Sequence, residues 1–192
     1  MVFFPPETNL AVSKKPVPSR GRAFFHRPNL MPTFTLRPET PEDHAFILKL
    51  YASTRADEMA LLPWPSQQKH DFLAQQARLQ HQHFHSHYPN AEFSLILQDN
   101  QAVGRWYVER NFTHWQVIDI ALLPEYRNQG LGGHLLQTLL TQAQSAGQTV
   151  RLHVEQTNRA MRLYLRLGFT VVEERGFYWL MECLPSRLKQ SQ

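Results

Sequence analysis

Apolar and polar residues change their spacing several times along this chain, and each change marks an element. Thr33–Arg37 alternates around Phe34 and Leu36, as a half-buried strand does, and Pro38–Asp43 follows with proline, Thr40 and acidic residues suited to starting a helix. Phe46, Ile47, Leu50 and Tyr51 then recur at helical spacing until Pro63 and Pro65, which flank Trp64, break the pattern. A second helix is predicted over Ser66–Tyr88. Its apolar positions Phe72, Leu73, Leu79 and Phe84 are sparse among glutamines and histidines, so it covers a surface without sinking into a core.

From residue 92 onward the period is two. Glu92–Gln98 reads as a strand, Asp99-Asn100 as a hairpin turn and Ala102–Glu109 as the returning strand, with Trp115–Leu122 next. The helix that follows carries Leu131, Leu135, Leu136, Leu139, Leu140 and Ala143 on one face and stops at Gly147. Val150–Val154 is a further strand, Asn158–Leu167 a helix closed by Gly168, and Phe169–Val172 and Phe177–Cys183 end the pattern. The order β-α-α-β-β-β-α-β-α-β-β predicts an α+β fold: a mixed sheet with helices on both faces.

Charge divides the chain unevenly. Residues 1–32 hold Lys14, Lys15, Arg20, Arg22 and Arg27 against Glu7, and six of the 13 prolines, whereas residues 33–192 are formally neutral. The net charge of +4 therefore belongs to a basic, proline-rich extension expected to be disordered, and it argues against nucleic-acid binding by the folded part. Met31 stands where the globular pattern begins and is the expected natural initiator. The folded domain is expected over 33–184, with a short tail over 185–192. There is no secretory pattern and no apolar run near the roughly 20 residues of a membrane span, so a cytoplasmic protein is expected. The single Cys183 sits among Leu180, Met181 and Leu184 and reads as a structural residue.

The chemistry centres on Asp119–Ala143. There a glycine-rich turn, Gly130-Leu131-Gly132-Gly133, joins an apolar strand to an amphipathic helix. Free N–H groups at a helix start carry partial positive charge, and glycines let an anion reach them, so the turn suits a phosphate; a tight turn with close packing is the competing reading. His81, His83, His85 and His87 form two i, i+4 pairs on the second helix, but no Cys or carboxylate accompanies them in sequence, and no metal is expected. His83 and His87 are candidates instead, with Gln76 and Gln80, for facing an acceptor pocket. Arg55, Glu58 and Trp64 lie at the end of the first helix and in the loop beyond it. Arg55 and Glu58 can simply pair, and Trp64 can simply plug a gap between its prolines.

Arg127-Asn128-Gln129-Gly130-Leu131-Gly132 resembles the acyl-CoA pyrophosphate loop of the GNAT N-acetyltransferase superfamily. Asn158-Arg159-Ala160-Met161-Arg162-Leu163-Tyr164-Leu165-Arg166-Leu167-Gly168-Phe169 resembles that family's second signature, in the same order and context. The resemblance covers about residues 33–184. It implies a mostly antiparallel sheet with one splayed parallel strand pair, and acetyl-CoA as co-substrate. Ile120 and Leu122 are then the main-chain partners of the pantetheine arm, Gln129 to Gly133 cradle the pyrophosphate beside Arg127, and Asn158 bonds the pantetheine while opening its helix. His134 is read as capping the turn, with direct ligand contact as the alternative.

The implied reaction is direct attack of a neutral primary amine on the thioester through a tetrahedral intermediate. Three roles follow. Leu122 N–H would bind the oxyanion. Tyr164 matches the family's usual general acid, and a phenol with a reference pKa of about 10 suits a leaving thiolate. The general base is open between His153, which stands five residues before Asn158 where some relatives carry a glutamate, and Asp119, an acid in the apolar run Val117–Leu122. The acceptor is a small metabolite or a protein N-terminus or lysine, with Arg55, Glu58 and Trp64 together hinting at a small zwitterionic or carboxylate-bearing one. A non-catalytic acyl-CoA-binding or sensing module is the alternative, and homodimers are common in the family.

Overall fold

The computed structural model describes residues 34–185. The basic extension, Met31, Thr33 and residues 186–192 of the expected tail lie outside the described residues. Seven strands form one sheet in the order β1-β2-β3-β4-β5-β7-β6. β1 (Phe34–Pro38), β2 (Glu92–Gln98), β3 (Gln101–Arg110) and β4 (Trp115–Leu122) are antiparallel neighbours. β5 (Val150–Glu155) runs parallel to β4, and β7 (Tyr178–Cys183) lies antiparallel between β5 and β6 (Thr170–Arg175). The predicted mixed, mostly antiparallel sheet is what forms. At the β2–β3 hairpin Asp99 and Asn100 adopt φ of 50° and 61°, the left-handed pair whose twist matches the strands it joins.

Helices cover both faces. α4 (Leu131–Ser145) buries Leu131, Leu135, Leu136, Leu139, Leu140 and Ala143, the face read from the sequence, against Trp106, Val108 and Val117 of the sheet. On the other face α1 (His44–Thr54) buries Ile47, Leu50 and Tyr51, and α3 (Ser66–His87) buries Ala77 and Phe84, with Phe84 edge-on to Tyr107 at 5.9 Å. Two buried residues in 22 confirm α3 as a cover with one wet side. Among the described residues no helix is long and apolar enough to cross a membrane. Cys183 is buried, as a structural residue would be.

Two elements differ from expectation. α1 stops at Thr54, where the Ser53 and Thr54 hydroxyls donate back to the Leu50 and Tyr51 carbonyls at 2.7 Å, and a separate short α2 (Ala56–Ala60) restarts with Asp57 and Glu58 in its first turn. The helix expected from Asn158 begins three residues later, as α5 (Met161–Arg166). Asn158 precedes it in a turn, its Oδ1 accepting the Ala160 N–H at 2.8 Å and its carbonyl accepting the Met161 N–H at 3.1 Å. A short amide side chain competes with the helical backbone in this way, which favours the turn over the helix interior.

The β4–β5 seam positions the site. Only Trp115, Gln116 and Val117 pair with β5, opposite Val150, Arg151 and Leu152. At that point β4 bulges: Tyr107 faces Asp119 and Val108 faces Val117, leaving Ile118 extra. A bulge bends and twists its strand, and here β4 turns away from β5 just beyond it.

Candidate active site

Where the two strands part, a cleft of about 250 Å³ opens, lined by Ile118–Ala121 of β4, Leu152–Glu155 of β5, Asn158, Tyr164 and Tyr178, and roofed by Tyr51, Arg55, Glu58, Gln80 and Phe84. The Leu123 N–H donates to the Val103 carbonyl of β3 at 2.9 Å. Strand alternation then turns the polar backbone of Leu122 and Ile120 the other way, into the opening. Those groups have no β5 partner because the ladder ends at Val117.

Of the residues singled out in the sequence, Ile120, His153, Asn158, Tyr164, Arg55, Glu58 and Gln80 all meet at this cleft. Tyr164 is buried with its ring edge against Phe169, 5.8 Å between centroids. Among the described residues its hydroxyl has no hydrogen-bond partner. Burial, helped by the charge of Asp119, pushes the phenol up to about 12, so it holds its proton at neutral pH. His153 is half-buried and its Nε2 lies 3.4 Å from Nη1 of Arg175. Burial first, and the Arg175 charge second, lower its pKa, which leaves a neutral imidazole.

Asp119, the rival base, resolves the conflict of an acid in an apolar strand in both ways open to it. It lines the cleft, and its Oδ2 accepts from Nε of Arg105 at 2.6 Å. Arg105 is only 3% exposed, donates also to Oε1 of Gln80 at 2.7 Å, and lies over the Phe84 and Tyr107 rings. Arg55 pairs with Glu58 at 2.8 Å and approaches Glu155 at 4.0 Å. These carboxylates raise its pKa against the opposing effect of burial. Tyr178 donates to Glu155 at 3.3 Å, and burial together with that carboxylate raises its phenol.

The glycine turn lies beyond the open end of β4. Gly130, at φ 87°, forms the start of α4, a conformation that favours glycine. A Cβ on Gly132 or Gly133 would stand 3.4 Å from Cδ1 of Ile120 or 3.5 Å from Cδ1 of Leu163, ordinary contact distances, so packing alone does not demand glycine at either position. Leu131 is buried, which leaves only its backbone for a ligand. Gln129 folds onto the Glu125 carbonyl at 2.6 Å. The Arg127 guanidinium is held as a strut, donating to the Leu122 carbonyl at 2.8 Å and reaching Ser53 at 3.2 Å. His134 packs edge-on against Phe34 at 5.5 Å.

Several candidates fall elsewhere. Trp64 packs against Phe72 at 5.5 Å, as a plug, and Gln76, His83 and His87 are not among the cleft's lining residues. Glutamine spacing fixed a helix face, but the face turned toward the cleft at Gln80 has left Gln76 behind. Sequence reasoning missed Arg105, Glu155 and Tyr178. Arg105 carried a signal, since a charge inside the run Val103–Val108 must find a buried partner.

Comparison with known proteins bears on this arrangement. A family model described as the acetyltransferase (GNAT) family matches residues 51–169. The [ribosomal protein bS18]-alanine N-acetyltransferase of Haemophilus influenzae is 33% identical over 85 residues, 44% of this chain and 58% of that protein. The mycothiol acetyltransferase of Corynebacterium aurimucosum is 36% identical over 72 residues, 36% of this chain and 24% of that protein. Both matches thus span less than two thirds of the relative. The crystal structure of PaiA N-acetyltransferase from Thermoplasma acidophilum in complex with coenzyme A superposes with a TM-score of 0.59 at 18% identity, over 79% of this chain and 99% of that one. With a family model covering well over half of its length, this chain belongs to the acetyltransferase (GNAT) family.

Proposed function

We propose that this protein transfers the acetyl group of acetyl-CoA to a primary amine. The observation that carries the reading is the splayed β4–β5 seam, where the Ile120 backbone and the Leu122 N–H, left without a β5 partner, stand at a cleft bordered by Tyr164, while the Leu122 carbonyl is held by Arg127. Unpaired strand polar groups accept an extended amide-bearing chain as a further strand would, and the pantetheine arm is such a chain. Gln129 to Gly133 would offer their N–H groups to the pyrophosphate, and Asn158 would steady the arm. Arg127 commits Nε to Leu122 and Nη2 to Ser53, which holds the loop and leaves Nη1 as the donor that would face the anion.

Acetyl-CoA supplies an activated thioester. Leu122 N–H donates to the carbonyl oxygen as negative charge grows there, and Tyr164 gives its proton to the departing thiolate. His153, neutral by burial, accepts the amine's proton directly or through water. Asp119 is the weaker candidate, because Arg105 already occupies it. The acceptor enters beneath α2 and α3, past Arg55, Glu58 and Gln80, where Glu58 and Glu155 favour a cation. The two curated relatives have names that specify different acceptors, a ribosomal-protein alanine and mycothiol, so neither is carried over.

The test is release of free thiol from acetyl-CoA across a panel of small amines, zwitterionic amines and peptides with free N-termini. Turnover with at least one primary amine is expected. Tight coenzyme binding with no turnover on any acceptor would favour the acyl-CoA-sensing module instead.

A further inference from the structure

We propose a metal site outside the cleft, formed by Glu39, His81 and His85, that takes one borderline divalent transition ion, zinc first. One ligand atom from each lies within 4.8 Å of the others. Nε2 of His81 is 2.7 Å from Oε1 of Glu39 and 3.1 Å from Nε2 of His85. The expectation against metal rested on the lack of an accompanying carboxylate, and that premise is corrected: the fold brings Glu39 to the histidines from 42 residues earlier.

The contacts do not satisfy one another. If His81 Nε2 is unprotonated, it meets the Glu39 oxygen lone pair against lone pair. If it carries a proton, that hydrogen serves Glu39, and the His85 nitrogen 3.1 Å away gains no bond from it. One carboxylate and two imidazoles that bring a ligand atom each within 4.8 Å of the others offer a cation three donors. Two imidazoles and a carboxylate form a familiar zinc set; bonds of about 2.0–2.2 Å in a tetrahedron separate ligand atoms by about 3.3–3.6 Å, so the His81–His85 pair at 3.1 Å is near that spacing, and Glu39, at 2.7 Å from His81, would draw back by several tenths of an ångström to admit an ion.

The donors are also held from behind. The second Glu39 oxygen accepts from the Tyr107 hydroxyl, the Glu39 N–H donates to the Phe93 carbonyl at 2.9 Å, and the His85 ring is stacked on Phe93 at 3.9 Å. Such supports orient metal ligands. His83 and His87, with the same i, i+4 spacing one face around, form an internal comparison: His87 Nδ1 contacts the His83 carbonyl at 2.9 Å, and among the described residues no carboxylate joins them. His85 is exposed, so the fourth position of the ion would open to water. The bound ion would clamp the end of β1 to α3 beside Gln80, which lines the cleft.

The test is calorimetric titration of the untagged full chain with zinc alone, beside thermal melts. One site is expected, with a melting temperature about 5–10 °C higher at a hundredfold excess over Kd. H85A and E39Q should each weaken binding at least tenfold; E39Q keeps an acceptor for Tyr107, and H85A changes an exposed residue. The double variant H83A/H87A should bind like the parent. No stoichiometric binding by the parent, undiminished binding by H85A, or an equal loss in H83A/H87A would each overturn the proposal.

Discussion

Tyr164→Phe removes one oxygen from the edge of the cleft and should separate chemistry from folding. The ring keeps its contact with Phe169, and among the described residues the lost hydroxyl leaves no donor or acceptor behind. The stability cost should therefore fall within about 0.5 kcal/mol, a shift of at most about 2 °C in Tm for a chain of this size. A general acid contributes about 10²–10⁴ in rate, which at 1.36 kcal/mol per factor of ten is about 3–5 kcal/mol of transition-state stabilisation. The assay is thiol release at saturating acetyl-CoA and amine, with coenzyme affinity measured separately by calorimetry. kcat should fall by two orders of magnitude or more while coenzyme Kd stays within about threefold. With the phenol pushed up to about 12, the parent enzyme should also show no alkaline loss of rate from this group below about pH 10. A kcat within threefold of the parent, or a fall in Tm large enough to account for the lost rate, would refute the assignment.

Three further outcomes follow from the same geometry. His153→Gln should lower kcat more than coenzyme affinity and remove the acidic limb of the rate profile; because burial and Arg175 depress its pKa, that limb in the parent should lie below the ordinary imidazole value of about 6.5. The same depression means the unfolded chain binds the proton first, so His153 costs stability as pH falls below about 6.5, and urea melts of the variant between pH 7 and pH 5 should show a shallower loss. Arg105→Leu leaves Asp119 and Gln80 without their buried donor and should cost about 3 kcal/mol, the low end for a broken buried pair because Asp119 reaches the cleft, and adding Asp119→Asn should cost less than the two separate effects combined in a double-mutant cycle. Gly104→Ala would drive its Cβ onto the Ala121 carbonyl and to 2.7 Å from Cδ2 of Leu122, so it should destabilise by about 1–3 kcal/mol and weaken coenzyme binding by displacing the open edge of β4, with calorimetry as the measurement.

What was readable in the sequence is what neighbouring residues decide together. The apolar face of α4, the Asp99-Asn100 hairpin and the order of elements along the chain follow from local period and turn chemistry, whereas the parallel strand pair was implied by the family resemblance and the place of β7 between β5 and β6 is set by tertiary pairing. The end of β4 and the start of α4, where the donor is proposed to bind, were legible for that reason, because backbone groups there are set by the elements themselves. Side-chain pairing across the fold was not. Arg105 meets Gln80 from 25 residues away, and Tyr107 meets Glu39 from 68. The two histidine pairs make the point most sharply. His81/His85 and His83/His87 share one helix, one spacing and one composition, so nothing local separates them. Among the described residues Glu39, just past β1, does so by joining the first pair and not the second. The roof of the cleft has the same character: α2 and α3 bring Glu58 and Gln80 over strands whose charges come from β4 and β5. A helical period tells which residues share a face, and the identity of what that face meets is decided by tertiary packing.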